Sequence, residues 1–239
     1  MKKVLIYGGS GSVGSQVARM LHEKGYLLHL VGTNEERLSQ VAESVGAEYT
    51  VADVTDHESI EKVARDAGKE LHGLVYAVGT INLKSLRRLT ADDFLSDFRI
   101  NAMGAALAVQ SALPALKKGG AGSSVVLYSS VAARQGFTMH GSIGMAKGAV
   151  EGLMVSLAAE LAPGIRVNAV APSLLDESTL SAEILKNPDT RESISSYHAL
   201  HRLGTPRDIA AMTVFLLSSE ASWITGQVMG VDGGRSVIV

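Results

Sequence analysis

The 239-residue chain has no cysteine, only 5 prolines, and aromatic residues at just 5% of its length. Without cysteine it forms no disulfide and no thiolate metal site, a usage that fits a reducing compartment. Neither sign of charge is in excess, with 22 Lys and Arg against 24 Asp and Glu for a formal net charge of −2. That balance leaves no surplus of cations to neutralise a nucleic acid or an anionic membrane. Long apolar runs are missing as well. Val4 to Tyr7 stops at Gly8, too short for the core of a signal peptide. The longest charge-free stretch, Ile100 to Leu116, carries Asn101, Gln110, Ser111 and Pro114 and reads as a buried helix rather than a membrane span. A globular, cytoplasmic protein without nucleic-acid or membrane partners is expected.

What the chain does have is apolar residues at 46% and 25 glycines, enough to bury most of what an unfolded chain of this size exposes. Short β-branched runs alternate with segments of helical period. Strands are predicted at Val4–Tyr7, Leu27–Val31, Glu48–Ala52, Leu74–Val78, Val125–Ser129, Arg166–Val170 and Gln227–Val231. Helices are predicted at Gly14–Lys24, Glu35–Val45, His57–Lys69, Ala91–Leu116, Met145–Leu161 and, behind the Thr205 N-cap and Pro206, to about Ser219. Strands this apolar, joined by crossover-length helices, predict an α/β fold: a single-domain, Rossmann-type doubly wound parallel sheet of about seven strands with helices on both faces. No linker, repeat or low-complexity tract divides residues 1–239. Residues 173–202, Ser-rich and broken at Asn187-Pro188-Asp189, read as a substrate lid or a solvated excursion. Trp223 reads as a packing residue near the last strand.

The first predicted strand runs straight into Gly8-Gly9-Ser10-Gly11-Ser12-Val13-Gly14, and a helix follows. Glycines there permit a tight turn and close approach of backbone to a pyrophosphate, and the helix start offers unpaired N–H groups. The strand–glycine–helix context is what makes this a dinucleotide-binding signature. The turn after the second strand then selects the coenzyme, an acidic residue favouring NAD and a basic one the 2′-phosphate of NADP. Here it reads Gly32-Thr33-Asn34-Glu35-Glu36-Arg37, with no acid at the turn itself. Thr33, Asn34 and Arg37 favour NADP slightly over NAD, although Glu35 to Arg37 also read as a solvated first turn.

Together these residues resemble the short-chain dehydrogenase/reductase family, along essentially the whole chain. Asp53-Val54 is similar to the family's adenine-contacting pair, and Asn101 to its active-site helix asparagine. Val125 to Ala132 resembles the strand carrying the catalytic serine, here Ser130, and Met145 to Leu153 the helix carrying the catalytic lysine, here Lys147. Arg166 to Ser173 resembles the strand and loop under the nicotinamide, and Thr225 to Gly234 the C-terminal strand. The resemblance implies coenzyme contacts at Ala77, Val78, Gly79, Lys147, Pro172 and Ser173, and no metal. It further implies a small-molecule substrate and a homodimer or homotetramer, for which the apolar ending Arg235 to Val239 is suited.

The departures from the family pattern lie mostly around the expected coenzyme. The catalytic tyrosine position is Ile143, which has no proton to give to a carbonyl oxygen. Tyr76 opens the segment that usually reads Asn-Asn-Ala-Gly, Ser12 replaces a loop glycine, and Ser173 and Glu177 replace the usual glycine and threonine. On a helix bearing Lys147, His140 falls two turns back and about 20° off the same line, similar to the tyrosine spacing of enoyl reductases of this superfamily. Imidazole titrates near neutrality, so His140 is a candidate proton donor, or a polar loop residue. Ser130 either polarises a carbonyl or caps the strand end; Asn101 either holds a water near the lysine or bonds backbone. The expected function is hydride transfer between a nicotinamide and a small carbonyl, alcohol or activated alkene. The alternative is an inactive dinucleotide-binding protein for sensing or assembly.

Overall fold

Strands with no polar face must be covered on both sides, and the chain satisfies them in three layers. The structure, a computed structural model, describes residues 1–238. Strands β1 (Lys3–Tyr7), β2 (Leu27–Gly32), β3 (Glu48–Val51), β4 (Gly73–Tyr76), β5 (Ser123–Tyr128), β6 (Ile165–Pro172) and β7 (Val228–Val231) form one sheet. Every pairing is parallel, in the order β3-β2-β1-β4-β5-β6-β7. Period-two alternation divides the core. Leu5, Tyr7, Leu74 and Val125 face helices α3 (His57–Asp66), α5 (Gly104–Lys118) and α6 (Gly141–Leu161). Val4, Ile6, Leu30 and Val126 face α1 (Ser12–Glu23), α2 (Glu35–Ser44) and α8 (Pro206–Leu217). The strand order reverses between β1 and β4, and their carboxyl ends open a crevice there, where doubly wound sheets bind ligands.

Tertiary contacts move several boundaries. The helix expected over Ala91–Leu116 is α4 (Ala91–Phe98), a π-helical turn at Arg99–Met103, then α5. The Tyr76 hydroxyl reaches that turn and donates to the Ile100 carbonyl at 2.6 Å. Gly104 makes the approach possible, because a Cβ there would lie 2.2 Å from the phenol oxygen. Helix α6 begins at Gly141 rather than Met145, since Ser142 Oγ donates to Asp97 Oδ2 at 2.6 Å and Ile143 is buried. His140 therefore stands at its N-cap, with φ −102° and ψ 16°, outside the helix proper.

Two expectations are overturned. Asn187-Pro188-Asp189 is a helix start, not a break: Asn187 Oδ1 accepts from Asp189 N and Thr190 N and opens α7 (Pro188–Ser196). Residues 173–202 are thus partly helical. Trp223 is not a packing residue: it follows a short turn (Ser219–Ala221) and is 99% exposed. Of the apolar ending, Val237 and Ile238 are exposed, and Val239 lies outside the described residues.

Candidate active site

β1 ends at Tyr7 and the chain turns at Gly8, whose φ of +77° and closeness to Ala77 O (2.5 Å from a Cβ placed there) admit only glycine. A Cβ on Gly14 would lie 2.1 Å from Gly8 O, so that glycine lets the helix start fold against the loop. Gly11, at the N-cap of α1, offers no side-chain cap, and no acidic residue occupies the first turn. The first-turn N–H groups of Ser12, Val13 and Gly14 have no partner within the helix. A glycine cradle facing an uncapped helix start is a donor set that fits the diphosphate of a dinucleotide.

A cavity of about 240 Å³ lies over this cradle, and Gly8, Ser10, Gly11, Ser12, Val13, Thr33, Val54, Ala77, Val78 and Gly79 line it. Gly14 stands behind it. Asn34, Arg37 and Asp53 are not in the lining. Asn34 Oδ1 caps α2 by accepting from Arg37 N at 2.9 Å, Arg37 is exposed, and Asp53 Oδ1 accepts from Thr55 N and Thr55 Oγ1 at 2.8 Å each.

A second cavity, about 260 Å³, holds Ser130, His140, Ile143, Lys147, Pro172 and Ser173 in its wall. Both cavities share Val13, Ala77, Val78, Gly79, Ser178 and Leu180, so they are two ends of one trough. Lys147 is 8% exposed and donates to Tyr128 O at 2.9 Å. Burial brings its pKa down to about 8, against a smaller upward pull from the Asp97 carboxylate. Ser130 Oγ accepts from Ala132 N at 3.1 Å, which leaves its own proton free. His140 Nδ1 lies 2.8 Å from Thr138 O. A carbonyl only accepts, so Nδ1 carries the proton in that bond and Nε2 is the nitrogen left over. Tyr128, buried at the end of β5, has its hydroxyl 2.6 Å from Thr213 Oγ1.

Asn101 sits behind the cavity wall. Its Nδ2 donates to Asp97 O at 2.8 Å and Thr80 Oγ1 at 2.9 Å, while its buried Oδ1 has no partner. A Cβ on Gly79 would lie 3.0 Å from that oxygen and 3.3 Å from Lys147 Nζ, so amide and ammonium converge on Gly79. Both earlier readings of Asn101 therefore keep an observation: a backbone bond is made, and an acceptor is left bare beside the lysine. The hub of this region escaped the sequence reading. Asp97 is fully buried; Oδ1 accepts from Thr80 Oγ1 (2.6 Å) and Asn82 Nδ2 (2.8 Å), and Oδ2 from Ser142 Oγ (2.6 Å). The available signal was its i, i+4 spacing from Asn101 on one helix face.

Residues 173–202 meet the trough through Ser173, Leu174, Leu175, Ser178, Leu180, Ser181 and Ile194. Thr179 N donates to Ser12 Oγ at 3.4 Å across the phosphate loop. His198 is buried, its Nδ1 at 2.9 Å from Ile194 O and its Nε2 at 2.9 Å from Ser173 Oγ, so the serine donates to it. Ile184, Leu185, Tyr197 and His201, from the same stretch, are outside the lining. Arg235 does line the second cavity and was not anticipated; its signal is a charged residue directly after the glycine pair Gly233-Gly234. Among the described residues no three His, Asp or Glu side chains are grouped as metal ligands would be, and no helix is long and apolar enough to cross a membrane.

Comparison with known proteins agrees with this fold. A family model described as enoyl-(acyl carrier protein) reductase matches residues 8–236. The oxidoreductase YmfI of Bacillus subtilis (strain 168) is 31% identical over 242 residues, covering 98% of each chain. A tropinone reductase homologue of Arabidopsis thaliana is 34% identical over 244 residues, covering 98% of this chain and 90% of its own. Among solved structures, a short-chain type dehydrogenase/reductase from Mycobacterium ulcerans superposes with a TM-score of 0.93 at 28% identity, over 99% of this chain and 90% of that one. Levodione reductase gives a TM-score of 0.93 at 28% identity, over 100% and 98%.

Proposed function

The chain belongs to the short-chain dehydrogenase/reductase family and is an oxidoreductase, and on that premise we propose that it transfers hydride between a nicotinamide dinucleotide and a small carbonyl, alcohol or activated alkene. The observation that carries this reading is the continuity of the trough, which joins a phosphate cradle to the wall holding Ser130 and Lys147. The family binds NAD or NADP. We place NADP ahead of NAD, supported by the lack of an acid at Gly32-Thr33-Asn34 and by Arg37 one turn further on.

The residues that would hold the coenzyme are Gly8, Ser10, Gly11, Ser12, Val13 and Gly14 at the diphosphate. Thr33, Asn34, Arg37, Asp53 and Val54 would hold the adenosine end, and Ala77, Val78, Gly79, Pro172 and Ser173 the nicotinamide end. When bound, the nicotinamide supplies or accepts the hydride. Lys147 donates to Tyr128 O and keeps N–H groups for the ribose hydroxyls. Ser130, with its lone pair engaged by Ala132 N, turns its proton to the substrate oxygen. Ile143 supplies only an apolar wall, so the proton comes from elsewhere. His140 Nε2 delivers it when the ring is charged and takes it in the reverse direction, the bond to Thr138 O fixing which nitrogen does so. Asn101 holds a water near Lys147 through the bare Oδ1. Residues 173–202 close over the site and exclude water. Family members commonly assemble; a homodimer or homotetramer in the cytoplasm is our reading, supported by exposed Leu95, Phe98 and Met103 on one helix face and Met145 and Val155 on another.

The test is melting with NADPH and NADH in parallel, followed by turnover on a carbonyl and alkene panel. A coenzyme at about a hundred times its Kd stabilises by about 2.7 kcal/mol. Turnover with one coenzyme is expected, and a His140→Ala protein that keeps the full rate on a true substrate would remove the proton-donor assignment. Binding without turnover across the panel would favour a sensing or assembly role instead.

A further inference from the structure

No aspartate or glutamate lines the cavity that holds Lys147, whereas two cations do, Lys147 and Arg235. The ammonium is already engaged by Tyr128 O. Arg235 is not. Arg65, Arg134, Arg191 and Arg202 are matched to carboxylates; others such as Arg37 and Arg207 have none among the described residues but lie outside the cavity, whose lining includes no arginine except Arg235. Among the described residues Arg235 makes no salt bridge and donates no side-chain hydrogen bond; its neighbours are aromatic. The guanidinium carbon stands 4.9 Å from the centre of the Phe137 ring and 5.5 Å from that of Tyr197, a setting that holds a flat cation while leaving its N–H edge unused.

The backbone presenting this side chain is built for one position. Gly233 and Gly234 take φ values of +62° and +86°. Asp232 closes the turn by accepting from Gly234 N at 3.0 Å, Ser236 N at 3.1 Å and Ser236 Oγ. Its oxygens are thereby spent on the turn rather than on the arginine. The lid clamps the same turn, with Leu200 N donating to Gly233 O at 3.2 Å and His198 placed so that a Cβ on Gly233 would meet its side chain at 3.4 Å. His198 in turn holds Ser173 at the cavity floor. The Asp232 carboxylate acts on the guanidinium only through space, and a cation partly withdrawn from water without a bonded anion is costly unless a ligand supplies one.

We propose that Arg235 is a substrate-anion subsite, and that the substrate is an oxo acid or hydroxy acid whose carboxylate pairs with this guanidinium while its apolar body lies against Ile143 and Leu174. The proposal deepens the oxidoreductase reading and rests on it for the reacting end, but not for the binding itself. A carboxylate fits better than a phosphate because it is planar, and the fork of a guanidinium held between two rings meets it edge to edge with two parallel bonds.

The experiment uses the full chain with saturating coenzyme and three pairs of probes: pyruvate, acetoacetate and levulinate, each beside its methyl ester. The acids move the carboxylate stepwise away from the carbonyl. Binding is read by calorimetry and turnover by initial rates, for the wild type, Arg235→Met and Arg235→Lys, after melting curves confirm that the variants fold. At least one acid is expected to bind about tenfold or more tightly than its ester. Arg235→Met should erase that preference with little change toward the ester, and Arg235→Lys should keep only part of it. Acid and ester binding alike in the wild type, or an undiminished preference in Arg235→Met, overturns the proposal. If Arg235→Met does not fold, Arg235→Lys decides: full retention of the preference, with inorganic phosphate competing as well as the acid, means a generic anion site and overturns the carboxylate assignment. Arginine-dependent acid binding without turnover would remove the oxidoreductase reading and leave the subsite standing. Equal turnover of acids and esters in all three proteins would do the reverse.

Discussion

Lys147 offers a direct measure of how much charge this site withdraws from water. The side chain is 8% exposed, and burial lowers its pKa from an ordinary 10.5 to about 8. Between those two values the unfolded chain binds a proton that the folded chain has released. Unfolding therefore takes up a proton in that window, and the residue's contribution to stability rises with pH across it. Below about pH 8 both states are charged and the full burden of the buried ammonium is felt; above about pH 10.5 neither is, and the burden has gone. The gap amounts to ~3 kcal/mol. Urea unfolding of the wild type and Lys147→Met, at intervals from about pH 7 to about pH 10.5, isolates it, because other titrations cancel in the difference. The difference should move in favour of the wild type by ~2–3 kcal/mol over that range. A difference that stays flat would refute the reasoning. It would mean that the Tyr128 carbonyl at 2.9 Å and the Asp97 carboxylate repay the desolvation in full and keep the ammonium charged throughout.

Gly14→Ala would set a methyl 2.1 Å from Gly8 O; the displaced loop should cost about 1–3 kcal/mol and abolish the rise in melting temperature caused by either coenzyme, as differential scanning fluorimetry would show. Ile143→Tyr adds a phenol at a 3%-exposed position on the cavity wall, at an overpacking cost of about 1–3 kcal/mol. It is expected to raise coenzyme-dependent carbonyl reduction above the wild type, and a folded variant with no gain would show that some other feature of the site limits reduction. Asp97→Asn turns one acceptor oxygen of a fully buried group into a donor, facing either the Thr80 and Asn82 donors or the Ser142 hydroxyl. A loss of roughly 3 kcal/mol in denaturant unfolding is expected.

The layered sheet and the glycine turn after β1 were legible because their signals are local. Apolar strands such as Val4 to Tyr7 fall between helix-period segments, and glycine spacing at residues 8, 11 and 14 is dictated by the geometry of one turn. The resemblance placed Ser130 and Lys147 in a common wall, and both line the second cavity. Harder to see were features that depend on who packs against whom. Helix α6 starts four residues before its strongest pattern because Ser142 is captured by Asp97, far away in the chain. Asn187-Pro188-Asp189 is the same string whether it breaks a segment or caps a helix, and only α7 beyond it distinguishes the two. Trp223 carries the hydrophobicity of a core residue, yet the turn that bears it leaves it 99% exposed.

By itself, then, the order of residues determined the class of fold, a glycine-rich turn opening the first helix, and a side chain at position 143 with no proton to give. Each follows from backbone sterics, from strand and helix periodicity, or from the absence of a chemical group in a side chain. Tertiary structure alone decided that Asn101 keeps a bare oxygen beside a withdrawn lysine. It also decided that Asp97 gathers three donors, and that Arg235 lines the cavity beside Phe137 and Tyr197 with no carboxylate bonded to it. Those outcomes depend on groups dozens of residues apart arriving within hydrogen-bond or ring-contact distance. Contacts of that kind are specified by the whole packed core rather than by any short stretch of chain.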